Sequence, residues 1–167
     1  MTQLLFLRHA SAEDFNLKSD FERRLTNKGF NESKKIAKFC VKNKIFPSKI
    51  LTSPVIRAVE TSKAFRKEFE QKPDIEKVEW LKSNINIKEL YNNTIRLLED
   101  TFQSNSNNQK IVLVSHEPNI SILITMLMSG RNEPFINIKK ASLTALNFNS
   151  LNISDCQLLF SIPVGLT

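Results

Sequence analysis

Short apolar runs alternate with longer amphipathic stretches along this chain. The runs QLLFL (3–7), KILTS (49–53) and KIVLVS (110–115) are continuous and short. Such runs are typical of strands that are covered on both faces. The stretches between them repeat apolar residues at helical spacing and predict helices at 27–43, from Pro54 to Phe69, at 94–103 and at 118–129. Thr26 is a suitable N-cap for the first of these helices.

Weaker patterns complete the outline of the domain. The segment 75–81 predicts a third strand, and SLTALNFN (142–149) and CQLLFSI (156–162) predict two late strands. Polar stretches at 10–24, 82–93 and 104–109 are interpreted as loops. Because strands and helices alternate without repeats or linkers, we expect one domain over residues 1–167. Its predicted class is α/β, a three-layer α/β/α sandwich with a largely parallel central sheet.

Composition adds expectations about the compartment. Of the 167 residues, 41% are hydrophobic and 25% charged, which is ordinary for a globular protein. No apolar run approaches the ~20 residues that a membrane span needs, and no signal peptide is recognisable. Cys40 and Cys156 have no motif spacing and are predicted to be buried free thiols. We therefore expect a cytoplasmic protein without a membrane partner.

The net charge of +7 suits an anionic partner, but its distribution is diffuse. Residues 1–80 carry 17 basic and 11 acidic side chains, and residues 81–167 carry 7 and 6. The excess is scattered along predicted helices, as on a solvated helix face. The charge by itself leaves a nucleic-acid-binding module as a weak alternative, and we expect no nucleic-acid partner.

Four candidate site residues follow predicted strands. Arg8 and His9 come after the first strand, Arg57 lies shortly after the second, and His116 follows KIVLVS. Ligands of open α/β sheets bind beyond the carboxyl ends of the strands, so these side chains are expected to lie together. Each residue alone has an ordinary structural explanation, since histidines at strand ends often make only local hydrogen bonds. The combination is much harder to explain in that way.

The chemistry that fits this set is phosphoryl transfer. Planar guanidinium groups match phosphoryl oxygens in pairs, and a neutral imidazole can attack phosphorus. A second imidazole can offset charge on the phosphoryl oxygens in the transition state. The pattern predicts a covalent phosphohistidine on His9 that water later hydrolyses. No carboxylate or thiolate cluster stands at metal-ligand spacing from the histidines, so neither a metal nor another cofactor is expected.

The segments LLFLRHA, LTSPVIRAVET and IVLVSHEPNI resemble the histidine phosphatase superfamily, the phosphoglycerate-mutase-like phosphatases. The resemblance covers essentially the whole chain and is strongest to the SixA-type phosphohistidine phosphatases. It implies that His9 is the nucleophile and that Arg8, Arg57 and His116 form the rest of the phosphate pocket. The segment ERRLTNKG resembles the branch's E-R-P-L-T-x-x-G motif, which makes Arg23 a further substrate-binding cation.

Two features depart from the superfamily pattern. Ala10 stands where most members carry glycine, although alanine is familiar in the SixA-like branch. Glu117 follows His116 where that branch often has asparagine. Its carboxylate is expected either to raise the pKa of His116 and keep that ring cationic, or to point to solvent.

The sequence offers several candidates for a general acid. By the resemblance, larger family members carry one in an inserted region, which this chain is expected to be too short to hold. The candidates are Glu13, Asp14 and Glu89, each of which has an ordinary reading as a loop carboxylate. An alkoxide leaving group needs a proton from such an acid, whereas an imidazole leaves easily.

These arguments predict a metal-independent phosphatase that removes the phosphoryl group from phosphohistidine on a protein, for example a histidine phosphotransfer domain. A phosphatase of a small phosphorylated metabolite or nucleotide is the first alternative. A non-catalytic phosphoprotein-binding domain is the second. No exposed apolar stripe stands out in the sequence, so a monomer is expected.

Overall fold

The computed structural model describes residues 1–14, 19–104, 108–152 and 155–167. The strands are β1 (Thr2–Arg8), β2 (Lys49–Thr52), β3 (Asp74–Lys77), β4 (Gln109–Ser115), β5 (Leu143–Phe148) and β6 (Cys156–Ile162). The helices are α1 (Asn27–Lys42), α2 (Ile56–Arg66), α3 (Ile87–Gln103) and α4 (Asn119–Ser129), with short 3₁₀ helices at Glu79–Leu81 and Val164–Leu166.

All six strands form one mixed sheet in the order β3-β2-β4-β1-β5-β6. The pairs β2–β3, β2–β4 and β1–β4 are parallel, and β1–β5 and β5–β6 are antiparallel. The predicted α/β class with a mostly parallel sheet is therefore confirmed. Because β2, β4 and β1 are adjacent and parallel, their carboxyl ends meet at one edge of the sheet.

Two apolar clusters, one on each face of the sheet, make up the core. Alternate residues of β1 enter different clusters, with Leu4 and Phe6 in one and Leu5 and Leu7 in the other. The first cluster takes in buried residues of α3 and α4, and the second takes in those of α1 and α2. Two helices therefore cover each face, which explains why QLLFL is apolar at every position after Gln3.

Several boundaries differ from those predicted. α3 begins at Ile87, within the predicted loop 82–93, because the side chain of Asn86 caps it by accepting a hydrogen bond from the Lys88 backbone N–H at 2.9 Å. The predicted third strand ends at Lys77, and a 3₁₀ helix follows. α2 ends at Arg66, so Phe69 is buried without being helical.

Other predictions are affected by the described range. Parts of the predicted loops 10–24 and 104–109 lie outside the described residues. Cys40 is buried as predicted, whereas Cys156 is half-buried, since its strand β6 lies at the edge of the sheet. Among the described residues, no helix is both long and apolar enough to cross a membrane.

Candidate active site

The carboxyl ends of β1, β2 and β4 bring together the four predicted site residues, the quartet Arg8, His9, Arg57 and His116. The backbone N–H of His9 donates to the Ser115 carbonyl of β4 at 3.1 Å, which extends the β1–β4 pairing by one residue. His9 and His116 then face each other with ring centroids 5.1 Å apart. Arg57 reaches the same place from the first turn of α2. His9, Arg57 and His116 are all buried.

Hydrogen bonds hold both ring nitrogens of His9. Its Nε2 lies 3.2 Å from Nε of Arg57, which can only donate, so Nε2 must accept. Its Nδ1 lies 2.9 Å from the carbonyl oxygen of Ala10 and therefore carries the proton. This arrangement assigns the neutral tautomer with a lone pair on Nε2.

Burial keeps both imidazoles neutral. It lowers the pKa of His9 to about 3, and the nearby charges of Arg57, Arg8 and Lys140 act in the same direction. The Ala10 carbonyl opposes that change. Burial likewise lowers the pKa of His116 to about 2, with His9, Arg57 and Arg8 contributing. The free site therefore presents two uncharged rings among guanidinium groups.

His116 is positioned by Ser53, the residue that follows β2. Its Nε2 lies 2.8 Å from the Ser53 hydroxyl, and both residues are buried. Its Nδ1 is buried and has no hydrogen-bond partner among the described residues, and the same holds for Nε of Arg8. A polar ligand in the site can satisfy these two atoms, since unpartnered buried polar groups are costly.

Arg8 is held from the other side of β1. Its Nη1 donates to the carbonyl oxygen of Ile138 at 2.6 Å. Partial burial lowers its pKa from the usual value for arginine, while the Glu117 carboxylate partly opposes that change. Arg8 remains a cation at physiological pH, because a guanidinium cannot be deprotonated in proteins.

The expectation for Glu117 is wrong in both of its forms. Glu117 does not keep His116 cationic, since the pKa of that ring falls. Its carboxylate does not simply point to solvent, because Oε1 accepts hydrogen bonds from the Ser121 hydroxyl at 2.7 Å and from the Ile138 backbone N–H at 3.2 Å. Glu117 therefore links α4 to the segment that holds Arg8.

Arg23 is linked to the quartet by Asp20, an aspartate that the sequence analysis did not select. Arg23 is buried, and its Nη1 lies 3.1 Å from Oδ1 of Asp20. The other carboxylate oxygen of Asp20 lies 3.0 Å from Nη2 of Arg57. Asp20 therefore joins the two arginines. Its position three residues before Arg23 is the only signal in the sequence, and a D-x-x-R spacing is too common to be selected.

Thr61 was also missed, although it stands in the segment LTSPVIRAVET. Its hydroxyl donates to the Arg57 carbonyl at 2.7 Å and accepts from the Ala10 backbone N–H at 3.1 Å. It thereby fixes the loop after His9 to the first turns of α2. A threonine that returns a hydrogen bond within its own helix gives no sign of this second contact in the sequence.

Among the described hydrogen bonds and ion pairs, none joins the three acid candidates to the ring of His9, whose partners are Ala10 and Arg57. Oε2 of Glu13 accepts the Arg24 backbone N–H at 3.0 Å, and its carbonyl oxygen accepts Nε of Arg23. Asp14 and Glu89 are exposed, and Glu89 lies in the first turn of α3. The carboxylate of Asp20 does contact the quartet, through Arg57, but it is bound to two cations. Among the described residues, no group of three or more acidic, histidine or cysteine side chains is placed to bind a metal.

Comparison with solved structures finds this fold in known phosphatases. The protein histidine phosphatase SixA, solved with tungstate, matches with a TM-score of 0.79 and 19% identity over 98% of each chain. A variant of phosphoserine phosphatase from Entamoeba histolytica, solved with phosphoserine, matches with a TM-score of 0.72 and 18% identity over 98% of each chain. A mycobacterial glucosyl-3-phosphoglycerate phosphatase gives 0.73 and 15%, over 93% of this chain and 96% of that one.

Comparisons of the amino-acid sequence with family models and with curated proteins find no match. The structural neighbours are nevertheless members of the histidine phosphatase superfamily, SixA among them. The chain has the phosphoglycerate-mutase-like fold of these phosphatases.

Proposed function

We propose that the protein is a phosphatase that forms a phosphohistidine on His9 and acts on phosphohistidine in a protein. The observation that carries the proposal is the neutral imidazole of His9, whose Nε2 lone pair faces the guanidinium of Arg57 in a buried pocket. An unprotonated ring nitrogen beside a cation is what nucleophilic attack on a phosphoryl group requires. The likeness in fold to several phosphatases supports the reaction class.

In the first step, Nε2 of His9 gives up the hydrogen bond from Nε of Arg57 and attacks phosphorus, so that a P–N bond forms. The bond to the leaving group breaks, and its electron pair departs with that group. The ring becomes cationic, and the Nδ1 proton on the Ala10 carbonyl stabilises this charge. In the second step, water attacks phosphorus, the new P–N bond breaks, and its electron pair returns to Nε2. Inorganic phosphate and neutral His9 result.

Guanidinium groups provide the positive charge for both steps. Arg57 and Arg8 stand beside the two rings, as their effects on the pKa of His9 and of His116 indicate. The phosphoryl oxygens carry most of the transition-state charge, so fixed cations stabilise it without moving. Nδ1 of His116 and Nε of Arg8, both unpartnered, are available to these oxygens. We infer that no metal is needed.

Among the residues that the structure describes, no carboxylate is placed to protonate a leaving group, which favours phosphohistidine as substrate. A phosphomonoester releases an alkoxide, which needs a proton from a nearby acid. Glu13 is bound to backbone, Asp14 and Glu89 are exposed, and Asp20 is bound to arginines. An imidazole leaving group makes a smaller demand, because it can already carry a proton.

The surroundings of Arg8 support a protein substrate. A groove of about 700 Å³ opens beside it, lined in part by Lys28, Lys139 and Lys140. A second groove of about 660 Å³ runs along Pro134, Phe135 and Ile136. Phe135 is 62% exposed and adds an accessible apolar side chain to this groove. An open rim of this kind suits a macromolecule better than a small metabolite, which is usually enclosed.

The decisive experiment compares phosphate release from a phosphohistidine peptide and from a panel of phosphomonoesters in the presence of EDTA. We expect release chiefly from phosphohistidine, and none in His9→Ala. Single turnover with labelled substrate should trap an acid-labile, alkali-stable phosphoenzyme in the wild type. Faster release from a monoester would refute the substrate assignment. Binding without release in the wild type would refute the enzyme and favour a phosphoprotein-binding domain.

Two further proposals concern the state of the protein. Cys40 and Cys156 are both free thiols, which supports a reducing compartment such as the cytoplasm. We propose that the protein acts there as a monomer, which sedimentation equilibrium would test.

A further inference from the structure

Asp20 occupies the hydrogen-bonding groups that an anionic substrate would use. Its Oδ2 lies 3.0 Å from Nη2 of Arg57, and its Oδ1 lies 3.1 Å from Nη1 of Arg23. The carbonyl oxygen of the same residue accepts Nη1 of Arg57. Every nitrogen of the Arg57 guanidinium is therefore engaged, with Nε on His9 and both Nη atoms on Asp20.

The carboxylate of Asp20 has the charge and shape of part of a phosphoryl group. Carboxylate and phosphoryl oxygens both match the planar fork of a guanidinium at these distances. Burial raises the pKa of Asp20, but hydrogen bonds and charges from Arg57 and then Arg23 outweigh this and lower it. Asp20 is therefore an anion at neutral pH. A phosphoryl dianion and this carboxylate cannot share one fork without strong repulsion.

Asp20 also has a route out of the site. Its side chain is 31% exposed, whereas those of Arg57 and Arg23 are 4% and 6% exposed. A carboxylate that leaves the arginines can therefore be solvated by water at once. The buried arginines, by contrast, have to stay and take another anion.

We propose that Asp20 is an internal competitor for the phosphoryl group. It leaves Arg57 and Arg23 when a phosphoryl group binds, and it returns when inorganic phosphate departs. Asp20 thereby determines how tightly the site holds dianions and favours release of the product. The inference builds on the proposed function, because the competing ligand is the phosphoryl group of that reaction.

The alternative is that Asp20 only orients the two arginines. The two roles predict opposite effects of removing its charge. If Asp20 competes, Asp20→Asn should bind dianions more tightly, since the two charge-assisted pairs with Arg57 and Arg23 no longer have to break. If Asp20 only orients, the same change should loosen Arg57 and weaken dianion binding.

Isothermal titration calorimetry with sulfate separates these outcomes without any turnover. Sulfate is a tetrahedral dianion across the whole neutral range. We expect Asp20→Asn to bind sulfate at least about tenfold more tightly, because no charge-assisted hydrogen bond then opposes the incoming anion. Glu22→Gln is the matched control, because Glu22 lies on the same loop, is exposed and, among the described residues, hydrogen-bonds to Ser19 rather than to an arginine. It should change sulfate affinity less than about twofold by charge alone. Unchanged or weaker binding in Asp20→Asn would overturn the proposal.

A second measurement uses the wild type and so does not depend on the folding of a variant. Carbon-13 NMR of the Asp20 carboxyl group should report a lowered pKa in the free protein. Saturation with sulfate should raise that pKa to or above the ordinary value of aspartate. A pKa that stays low with sulfate bound would mean that Asp20 never leaves the arginines, and the proposal would fail.

Steady-state kinetics then test whether Asp20, as a competitor of the phosphoryl group, affects turnover. In Asp20→Asn we expect a lower KM and stronger inhibition by inorganic phosphate, since product leaves more slowly. A lower kcat with unchanged KM and unchanged product inhibition would instead indicate a purely orienting residue. If the wild type has no phosphatase activity but sulfate still binds more tightly to Asp20→Asn, the competitor stands and the proposed function fails.

Discussion

Nε of Arg57 lies 3.2 Å from Nε2 of His9 and donates a hydrogen bond to it, across 48 positions of the chain. Both residues are buried. The contact fixes the tautomer of the imidazole, because Nε2 must present its lone pair to the guanidinium. It also means that the lone pair proposed to attack phosphorus already points at the cation that would receive the phosphoryl oxygens.

This relationship predicts that lysine cannot replace Arg57. In Arg57→Lys a positive charge remains, but the planar guanidinium fork, which holds Asp20 in the free protein and would bind the phosphoryl oxygens, is lost. We expect kcat/KM for the phosphohistidine peptide to fall by about 10²–10³, the usual cost of a transition-state hydrogen-bond donor. Arg66→Lys, at the far end of α2, is the control and should retain activity. Activity within about threefold of the wild type in Arg57→Lys would contradict the assigned role.

Ser53 is predicted to act through His116. Ser53→Ala removes the hydroxyl that lies 2.8 Å from Nε2 of the ring, which leaves both ring nitrogens without a partner in a buried place. We expect kcat to fall roughly tenfold and the unfolding free energy to fall by about 1–3 kcal/mol. Ser53→Thr keeps a hydroxyl and should restore part of the activity. Ser48→Ala, at the exposed residue before β2, is the control for a lost serine hydroxyl. Equal kcat in Ser53→Ala and Ser48→Ala would refute the positioning role.

The two buried imidazoles predict a loss of stability on mild acidification. Their folded-state pKa values are lowered to about 3 and about 2, whereas the unfolded values are near 6.5. Below pH 6.5 the unfolded chain therefore binds protons that the folded protein does not. The unfolding free energy consequently decreases as the pH is lowered. Each histidine contributes at most ~1.4 kcal/mol per pH unit.

Urea denaturation at pH 7, 6 and 5 measures this dependence. We expect the unfolding free energy to decline by at least about 1 kcal/mol between pH 6 and pH 5. His116→Gln should remove about half of the slope, because one titrating ring is gone. A flat profile in the wild type would mean that the rings are protonated in the folded state. Asp20 does not interfere, since its lowered pKa lies below this window.

Gly29 is predicted to be irreplaceable for a steric reason. A Cβ added there would overlap the carbonyl oxygen of Ser11, in the loop that follows His9. Alanine normally stabilises a helix by ~1 kcal/mol relative to glycine, so a loss of stability in Gly29→Ala would have the opposite sign. We expect a loss of about 2 kcal/mol or more and reduced activity. Gly165→Ala, where the added Cβ meets nothing within 4 Å, should be neutral. Equal melting temperatures for the two variants would contradict the close approach.

Local patterns predicted the architecture well, for a physical reason. A strand that is covered on both faces has to be apolar at successive positions, and QLLFL and KIVLVS satisfy this in β1 and β4. The start of α3 escaped prediction because it depends on one capping side chain, Asn86, in a polar stretch that also resembles a loop. Helix and loop differ little in free energy over such a polar stretch, so a single capping side chain can decide where the helix begins.

The sequence by itself determined which strands are followed by candidate catalytic residues. Arg8, His9, Arg57 and His116 could be placed together because parallel strands carry their carboxyl ends to one edge of the sheet. Only the tertiary structure decided how these side chains are held. The pairing of Asp20 with Arg57 spans 37 positions, and that of Ser53 with His116 spans 63. Contacts of this kind depend on how loops return to the sheet edge, and no periodicity in the chain encodes that path.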